Sequence, residues 1–403
     1  MTNLPQGWEV KTLSEIGEIV TGSTPSKSNL DFYGKDYPFF KPSDFEQGYF
    51  LENAGDNLSK LGFGKARQLP PKTILVVCIG SLGKVALTKV IGSCNQQINA
   101  IIPHKNIISE YIYYYCISSK FQSILFSKAP QTTLAILNKT EFSKLEIIYP
   151  KDIKEQERIV GILDFAFSKI DENIKKAKEN LANIDELMQS ALQKAFNPLN
   201  DNTKENYQLP QSWEWKSLGD TSNYGKTLQV KPSQLKGNDW ILELEDIEKE
   251  SGVLLQKVLF QDRQSKSNKI KFNKGDILFG TLRPYLKKVI IADDNGACSS
   301  EIMPFSTGNS ITNHFIYYYL FANFLHDRIS SLTYGARMPR LGTKDGKSLQ
   351  IPLPPLQEQE QIAEHLDFVF EKAKALKELY TKELKDYEEL KQSLLDKAFK
   401  GEL

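Results

Sequence analysis

The sequence predicts an α+β protein. It has two tandem mixed α/β domains, separated by two long helices that pair as an antiparallel coiled coil with pseudo-twofold symmetry. Three observations predict it. The 403-residue chain repeats itself at an offset of about 203 residues. Each repeat opens with short apolar runs broken by Gly, Pro and Asn turns. Each closes on a long stretch whose apolar residues fall three and four apart, the spacing of a one-faced helix.

The repeat is legible residue by residue. Leu4-Pro5-Gln6-Gly7-Trp8-Glu9-Val10-Lys11-Thr12-Leu13 matches Leu209-Pro210-Gln211-Ser212-Trp213-Glu214-Trp215-Lys216-Ser217-Leu218 at seven of ten positions. Glu155-Gln156-Glu157 returns as Glu358-Gln359-Glu360, and Leu163-Asp164-Phe165-Ala166-Phe167 as Leu366-Asp367-Phe368-Val369-Phe370. Ile112-Tyr113-Tyr114-Tyr115 answers Ile316-Tyr317-Tyr318-Tyr319, and Lys194-Ala195-Phe196 answers Lys397-Ala398-Phe399. Similar ends around a divergent middle describe a shared frame carrying two different payloads.

The elements follow in order. In the first repeat, Thr73–Ile79, Val85–Val90 and Lys144–Tyr149 read as strands and Ser109–Phe126 as one Tyr-rich helix. Residues 151–200 then hold no proline before Pro198. Their seam runs Ile159, Leu163, Ala166, Ile170, Ile174, Ala177, Leu181, Ile184, Leu187, Ala191 and Ala195. Residues 201–355 repeat the mixed pattern. Pro352, Pro354 and Pro355 introduce a second helix from about Gln357 to Lys400, with its seam from Ile362 through Leu376 and Leu390 to Ala398. A helix of about 42 residues is ~63 Å long and cannot bury its seam on one small domain, so the two helices are expected to pair.

Composition excludes several classes. With 40% hydrophobic and 25% charged residues the chain is neither disordered nor collagenous. Its strongest apolar run, Thr73–Ile79, is far too short to span a bilayer, so no membrane association is expected. Met1–Val10 does not read as a signal peptide. Cys78, Cys94, Cys116 and Cys298 form no C-x-x-C pair and read as reduced thiols, which with the rest predicts a cytoplasmic protein.

The net charge of +1 hides a division. Residues 1–150 and 201–355 each carry net +3, whereas 151–200 carry −1 and 356–403 carry −4. From Asn57 to Ser109 there is no acidic residue, and Lys257–Lys288 holds nine Lys and Arg against Asp262 and Asp276. Cations clustered among Gln, Asn, Ser, Thr and aromatic residues are the footprint of nucleic-acid binding.

No catalytic constellation is present. Gly80-Ser81-Leu82-Gly83-Lys84 lacks the spacing of a phosphate-binding loop. His104, His314, His326 and His365 have no metal-ligand spacing. There is no nucleophile elbow, no zinc-hydrolase helix, no Asn-Pro-Pro-Tyr motif and no Pro-Asp dipeptide. A non-catalytic recognition or scaffold protein, without metal, is expected.

These residues resemble the specificity (S) subunit family of type I restriction-modification systems. The resemblance rests on the two Leu-Pro-Gln-x-Trp openings, on Gly22-Ser23-Thr24-Pro25-Ser26, on Phe40-Lys41-Pro42-Ser43-Asp44 and on Ile351-Pro352-Leu353-Pro354-Pro355-Leu356-Gln357-Glu358-Gln359. It covers essentially the whole chain. The first repeat departs from it only at Ile148-Tyr149-Pro150-Lys151-Asp152, where the second has the fuller proline-rich form.

The resemblance implies a target recognition domain at 1–150, a central spacer helix at 151–200, a second target recognition domain at 201–355 and a C-terminal spacer helix at 356–403. Each domain would read one half of a bipartite site in double-stranded DNA. The helices, 155–196 and 357–400, would set the gap and dock two modification (methyltransferase) subunits. No cofactor is implied on this chain. The complex would use S-adenosylmethionine for adenine methylation, and ATP and Mg2+ when restriction/translocase subunits join.

Base-reading residues vary with the target, so candidates rest on side-chain chemistry. In the first domain they are Lys65, Arg67, Lys84, Asn95, Gln96, Gln97 and Thr132. In the second they are Arg283, Tyr285, Lys287, Lys288, Arg337, Arg340 and Lys344. Asn and Gln pair with adenine edges, and Arg with guanine or phosphate. The alternative is a coiled-coil scaffold that joins two proteins and has no DNA role.

Overall fold

The computed structural model describes residues 4–129, 135–200, 207–263 and 265–403. It divides into two compact units, Met1–Ala177 with Lys382–Leu403, and Lys178–Thr381. Each unit therefore combines one globular part with a portion of both long helices.

The first unit is organised by Ile74–Val77, a strand buried along its whole length. It lies third in a five-stranded sheet ordered Gly17–Thr21, Ile98–Pro103, Ile74–Val77, Val85–Thr88, Phe50–Leu51. Successive side chains of a strand point to opposite faces. Ile74 and Val76 thus enter a core with Tyr111, Tyr115, Leu163 and Phe399, while Leu75 and Val77 enter another with Phe40, Phe45 and Leu51. A strand covered on both faces reads as an unbroken apolar run, which is why Thr73–Ile79 stands out in the sequence.

The second unit repeats the plan. Ile277–Gly280 is the middle of a three-stranded sheet between Val289–Ile291 and Ile302–Phe305. Its Ile277 and Phe279 join the core of Phe315, Tyr319 and Leu366, and Leu278 the core of Trp240 and Phe272. A four-stranded sheet, ordered Gln229–Val230, Lys269–Phe272, Gly296–Cys298, Trp240–Leu242, covers that second face.

The repeated motifs hold corresponding contacts. The Leu-Pro-Gln-x-Trp segments each close a turn, with Trp8 N–H donating to the Pro5 carbonyl (3.1 Å) and Trp213 N–H to that of Pro210 (2.9 Å). The strands that follow, Trp8–Thr12 and Glu214–Ser217, pair antiparallel with Glu146–Pro150 and Gln350–Leu353, the strands leading into the long helices. Each repeat thereby clips its own start to its own end.

The Tyr-rich segment is not one helix. It breaks into Ser109–Ile117 and Ser119–Lys128 at Ser118, whose backbone is extended (φ −68°, ψ 147°) and whose hydroxyl caps the second helix at Phe121 N–H. Serine side chains favour such caps over helix interiors, so Ser118 outweighs the apolar periodicity across it.

The central helix runs Ile153–Phe196 and the C-terminal helix Leu356–Ala398. Asp152 opens the first, its carboxylate accepting from Lys154 N–H at 3.0 Å. Their pairing is antiparallel within each unit. In the first, Arg158 reaches the Leu403 carbonyl (2.8 Å) and Asp171 pairs with Lys391. In the second, Asp185 pairs with Lys377, and Ile184, Met188 and Ala373 pack together.

The buried seam is narrower than the sequence suggests. Leu187, Leu376 and Leu390 are exposed. Ile184 and Met188 take the inward positions and leave Leu187 at the side of the pair. A two-helix contact buries a stripe narrower than the apolar face that a helix shows to a full core.

Candidate nucleic-acid interface

In each unit a loop leaving the central strand is pinned to a segment much later in the chain. In the first unit Gly80 N–H donates to the Ala135 carbonyl (3.3 Å), and Ile79 bridges to Ile136. In the second, Arg283 N–H donates to the Pro339 carbonyl (2.7 Å), and Leu282 bridges to Arg340. The two arrangements correspond under the sequence repeat. In the second unit the pinning joins the loop that carries Arg283 and Tyr285 to the segment that carries Arg337 and Arg340.

The first unit turns this loop with Gly80 (φ +85°) and Gly83 (φ +89°). A neighbouring turn carries Asn95, Gln96 and Gln97. Asn95 is buried, accepting from Gln97 N–H (3.0 Å) and donating to its Oε1 (2.8 Å). Asn95 therefore departs from the expectation of a base-reading group, because its amide is committed to holding the turn. Gln97 is half-buried beside the Gly80 loop, within reach of the Ile79 carbonyl at 3.4 Å. Gln96 is exposed and accepts from the Thr24 hydroxyl, so the Gly22-Ser23-Thr24-Pro25 segment lies against it. Gly22 is required there, since a Cβ would sit 2.1 Å from the Asn95 carbonyl oxygen.

The cations of the first unit are placed as follows. Lys84, partly exposed, pairs with Glu46 at 2.5 Å, and this ammonium holds the Glu46 carboxyl below its ordinary range. Arg67 is exposed with one guanidinium nitrogen on the Thr21 carbonyl (2.7 Å). Lys65 is exposed two residues away. Thr132 lies outside the described residues.

In the second unit Arg283 and Lys287 occupy the left-handed region (φ 49° and 46°) where the first unit uses glycine. Side chains adopt that conformation at a cost, so the surrounding structure has to impose it. Pro284 between them is buried, while Arg283 and Tyr285 are exposed.

Lys287 departs from the expectation of a DNA-facing cation. Its side chain is buried, and the ammonium donates to the Phe321 carbonyl (3.1 Å) and to Asn323 Oδ1. Burial holds its pKa below the ordinary lysine value, against the opposing pull of Glu250 and Asp327. Lys288 turns back to the Leu244 carbonyl (2.7 Å), so it also braces the loop.

Arg337 lies at the exposed tip of the hairpin formed by Thr333–Tyr334 and Arg340–Leu341. Arg340, partly exposed, is within 3.4 Å of the Ser300 carbonyl, and Lys344 projects from the short helix Thr343–Ser348. The structure thus gathers Arg283, Tyr285, Arg337 and Arg340 around one loop–hairpin apposition.

Two members of this surface were missed in the sequence. Tyr334 and Met338 are both exposed at the same hairpin. The available signal was Gly335 between two short β-prone stretches, a hairpin turn.

All four cysteines are buried and free, and burial pushes Cys78 and Cys94 up to about 12. Among the described residues no His, Cys, Asp and Glu side chains gather as a metal ion would need, and no helix is long and apolar enough to cross a membrane.

Known proteins share both the sequence and the architecture. A stretch of 176 residues is 39% identical to the type I restriction enzyme HindI specificity subunit of Haemophilus influenzae, covering 42% of this chain and 38% of that protein. The MjaIX specificity subunit of Methanocaldococcus jannaschii is 29% identical over 54% of this chain and 52% of its own length. These alignments span two-fifths to half of those relatives. The EcoDI specificity subunit of Escherichia coli is 23% identical over 99% of this chain and 89% of its own.

Among solved structures, a chain from work on complex assembly and conformational transition of the type I R-M system shares the fold, with TM-score 0.79, 19% identity and full coverage of both chains. The HsdS subunit from Thermoanaerobacter tengcongensis matches with TM-score 0.55 and 20% identity over 99% of this chain and 98% of that one. The model of the type I restriction modification DNA specificity domain matches twice, at residues 5–183 and 210–385. With two such matches filling most of its length, the chain belongs to the type I restriction modification DNA specificity domain family.

Proposed function

We propose that the chain is the sequence-reading component of a type I restriction-modification complex, with each globular part reading one half of a bipartite site in double-stranded DNA. The observation that carries this reading is the repeated pinning of the loop after the central strand to a segment much later in the chain. In one unit it joins the Arg283 loop to the hairpin that carries Arg337 and Arg340, and in the other the Gly80 loop also lies beside Gln97. Arg and Gln are the side chains that pair with base edges in the major groove, and nearby lysines suit phosphates.

The long helices act as spacer and dock. Three exposed apolar residues recur at the same repeat offset, Ile153 with Leu356, Phe165 with Phe368, and Leu187 with Leu390. A duplicated apolar surface suits two copies of one partner, here the modification subunits. Catalysis belongs to those partners, which hold S-adenosylmethionine. ATP and Mg2+ serve restriction/translocase subunits when these join, and the complex works in the cytoplasm.

The test is a set of duplexes carrying the target found by methylome sequencing of a host with this gene. Inserting or deleting one base pair in the gap rotates one half-site about the duplex by roughly a tenth of a turn, so binding and methylation are expected to fall sharply. Methylation indifferent to gap length would overturn the spacer role. Duplex affinity insensitive to both salt and sequence would favour the scaffold alternative.

A further inference from the structure

The second unit carries a surface that a simple base-reading role does not require. Tyr285, Tyr334 and Met338 are 49%, 60% and 54% exposed, Tyr285 on the loop that carries Arg283 and the other two on the hairpin that carries Arg337 and Arg340. The Arg283–Pro339 hydrogen bond (2.7 Å) joins loop to hairpin, and Tyr334 pairs with Arg340 across the hairpin. Large apolar side chains held out to solvent on segments that also carry arginines are unusual for a surface meant only for phosphates.

The loop is also immobilised from below. Its last residues are tied by the Leu286 carbonyl accepting from Glu250 N–H (3.1 Å), by the buried Lys287 ammonium on the Phe321 carbonyl (3.1 Å), and by Lys288 on the Leu244 carbonyl (2.7 Å). Two non-glycine residues in the left-handed region flank Pro284–Leu286, so the backbone is forced outward at Tyr285. In the first unit the residue at the Arg283 position is Gly80. The first-unit loop, Gly80-Ser81-Leu82-Gly83, is one residue shorter and has no aromatic, and its Leu82 is 9% exposed and packed into the core. An aromatic on the loop itself is thus particular to the second unit, whereas in the first the half-exposed Phe126 reaches Gly83 from the helix Ser119–Lys128.

We infer that the Tyr285 loop, with the Met338 hairpin joined to it through Arg283 and Pro339, is a rigid wedge that enters the duplex at the half-site read by the second unit and unstacks one base step there. Apolar side chains inserted between base pairs and flanked by arginines are a recurrent way of deforming DNA. A preorganised side chain loses little freedom on insertion. The first unit, whose Gly80–Gly83 loop carries no aromatic of its own, reads its half-site without this distortion. The inference rests on the DNA-reading function proposed above.

The test uses the full chain assembled with its modification subunits, without methyl donor. The duplex carries its target with 2-aminopurine placed in turn at each non-methylated position of both half-sites. Fluorescence and anisotropy are read on the same samples. A severalfold rise is expected at one step of the second half-site only, abolished in Tyr285→Ala, reduced in Met338→Ser and kept in Tyr285→Phe, at matched occupancy. Circular dichroism checks that the variants fold.

An equal rise in wild type and Tyr285→Ala, or no rise at any position of the bound wild type, would overturn the wedge while leaving DNA reading intact. Loss of subunit assembly in Tyr285→Ala with stacking unchanged would make the patch a protein contact. Absence of binding by the wild-type complex would overturn the DNA reading itself.

Discussion

Gln156 accepts a hydrogen bond from the backbone N–H of Ile108 at 2.9 Å while its amide donates to the Pro150 carbonyl at 2.9 Å. The side chain is fully buried, and it joins the start of the central helix to the start of the Tyr-rich helix. Gln359 does the same in the second unit, accepting from Thr312 N–H (2.9 Å) and donating to the Pro354 carbonyl (2.8 Å). The glutamine kept in both Glu-Gln-Glu motifs is therefore the joint between globular part and helix.

Removing that joint leaves buried backbone groups without partners. Gln156→Ala is expected to destabilise the first unit by about 2–4 kcal/mol, and Gln359→Ala the second by a similar amount. Urea titration of each variant, followed by hydrogen exchange to locate the loosened unit, checks this. A change below about 0.5 kcal/mol would show that the joint is dispensable.

Asp246 is fully buried and held by Arg263, whose Nη2 lies 2.7 and 2.8 Å from its two carboxylate oxygens. Arg263→Ala leaves that carboxylate without its counter-ion, though Glu243 N–H and Gln256 Nε2 still donate to it (2.8 Å each), with an expected loss of about 3–5 kcal/mol. Asp246→Asn keeps the shape, and adding it to Arg263→Ala should recover part of the loss. Thermal unfolding of the single and double variants tests the coupling.

His326 is buried, and its Nε2–H donates to the Leu320 carbonyl at 2.6 Å. Burial lowers its pKa to about 4, with Lys287 adding repulsion and the Leu320 bond opposing. An unfolded histidine titrates near 6.5. The folded value is the lower one, so the contribution to stability is fully present above about 6.5 and is lost as pH falls toward about 4. Its full extent is about 3 kcal/mol. Unfolding measured between pH 7 and 4 should show this slope, and His326→Gln should flatten it.

Exposed cations in the second unit should divide by role. Lys344→Ala is expected to weaken duplex binding evenly across sequences and to reduce the slope of log affinity against log salt by about 0.9. Arg337→Ala should cost about 1–3 kcal/mol and relax preference at one base pair. Titrations over a salt series, on the target and on singly substituted sites, separate the two outcomes.

The motifs legible in the sequence are those that serve the frame. Leu163-Asp164-Phe165-Ala166-Phe167 shows why. Asp164 accepts from the Tyr114 hydroxyl at 2.6 Å, and Phe167 meets the Tyr114 ring edge-on, as Asp367 and Phe370 do with Tyr318. Both repeats need the same contacts, so both keep the same residues. The candidate site was less legible. Lys287 and Arg283 look alike as cations, yet one ammonium is buried against a carbonyl and the other side chain is exposed. Ser118 likewise interrupts a helix that apolar spacing would have carried through.

The sequence by itself determined the duplication, the two long helices, the buried central strands and the separation of basic domains from acidic helices. These follow from periodicity, composition and repetition, which are local or countable properties of the chain. Only the tertiary structure decided which cations face solvent, that each unit combines its domain with portions of both helices, and that residues 282–283 meet residues 339–340. The physical reason is that side-chain exposure and long-range pairing are set by how strands and loops close on one another. A left-handed turn at Arg283, imposed by that closure, leaves no mark in residue spacing.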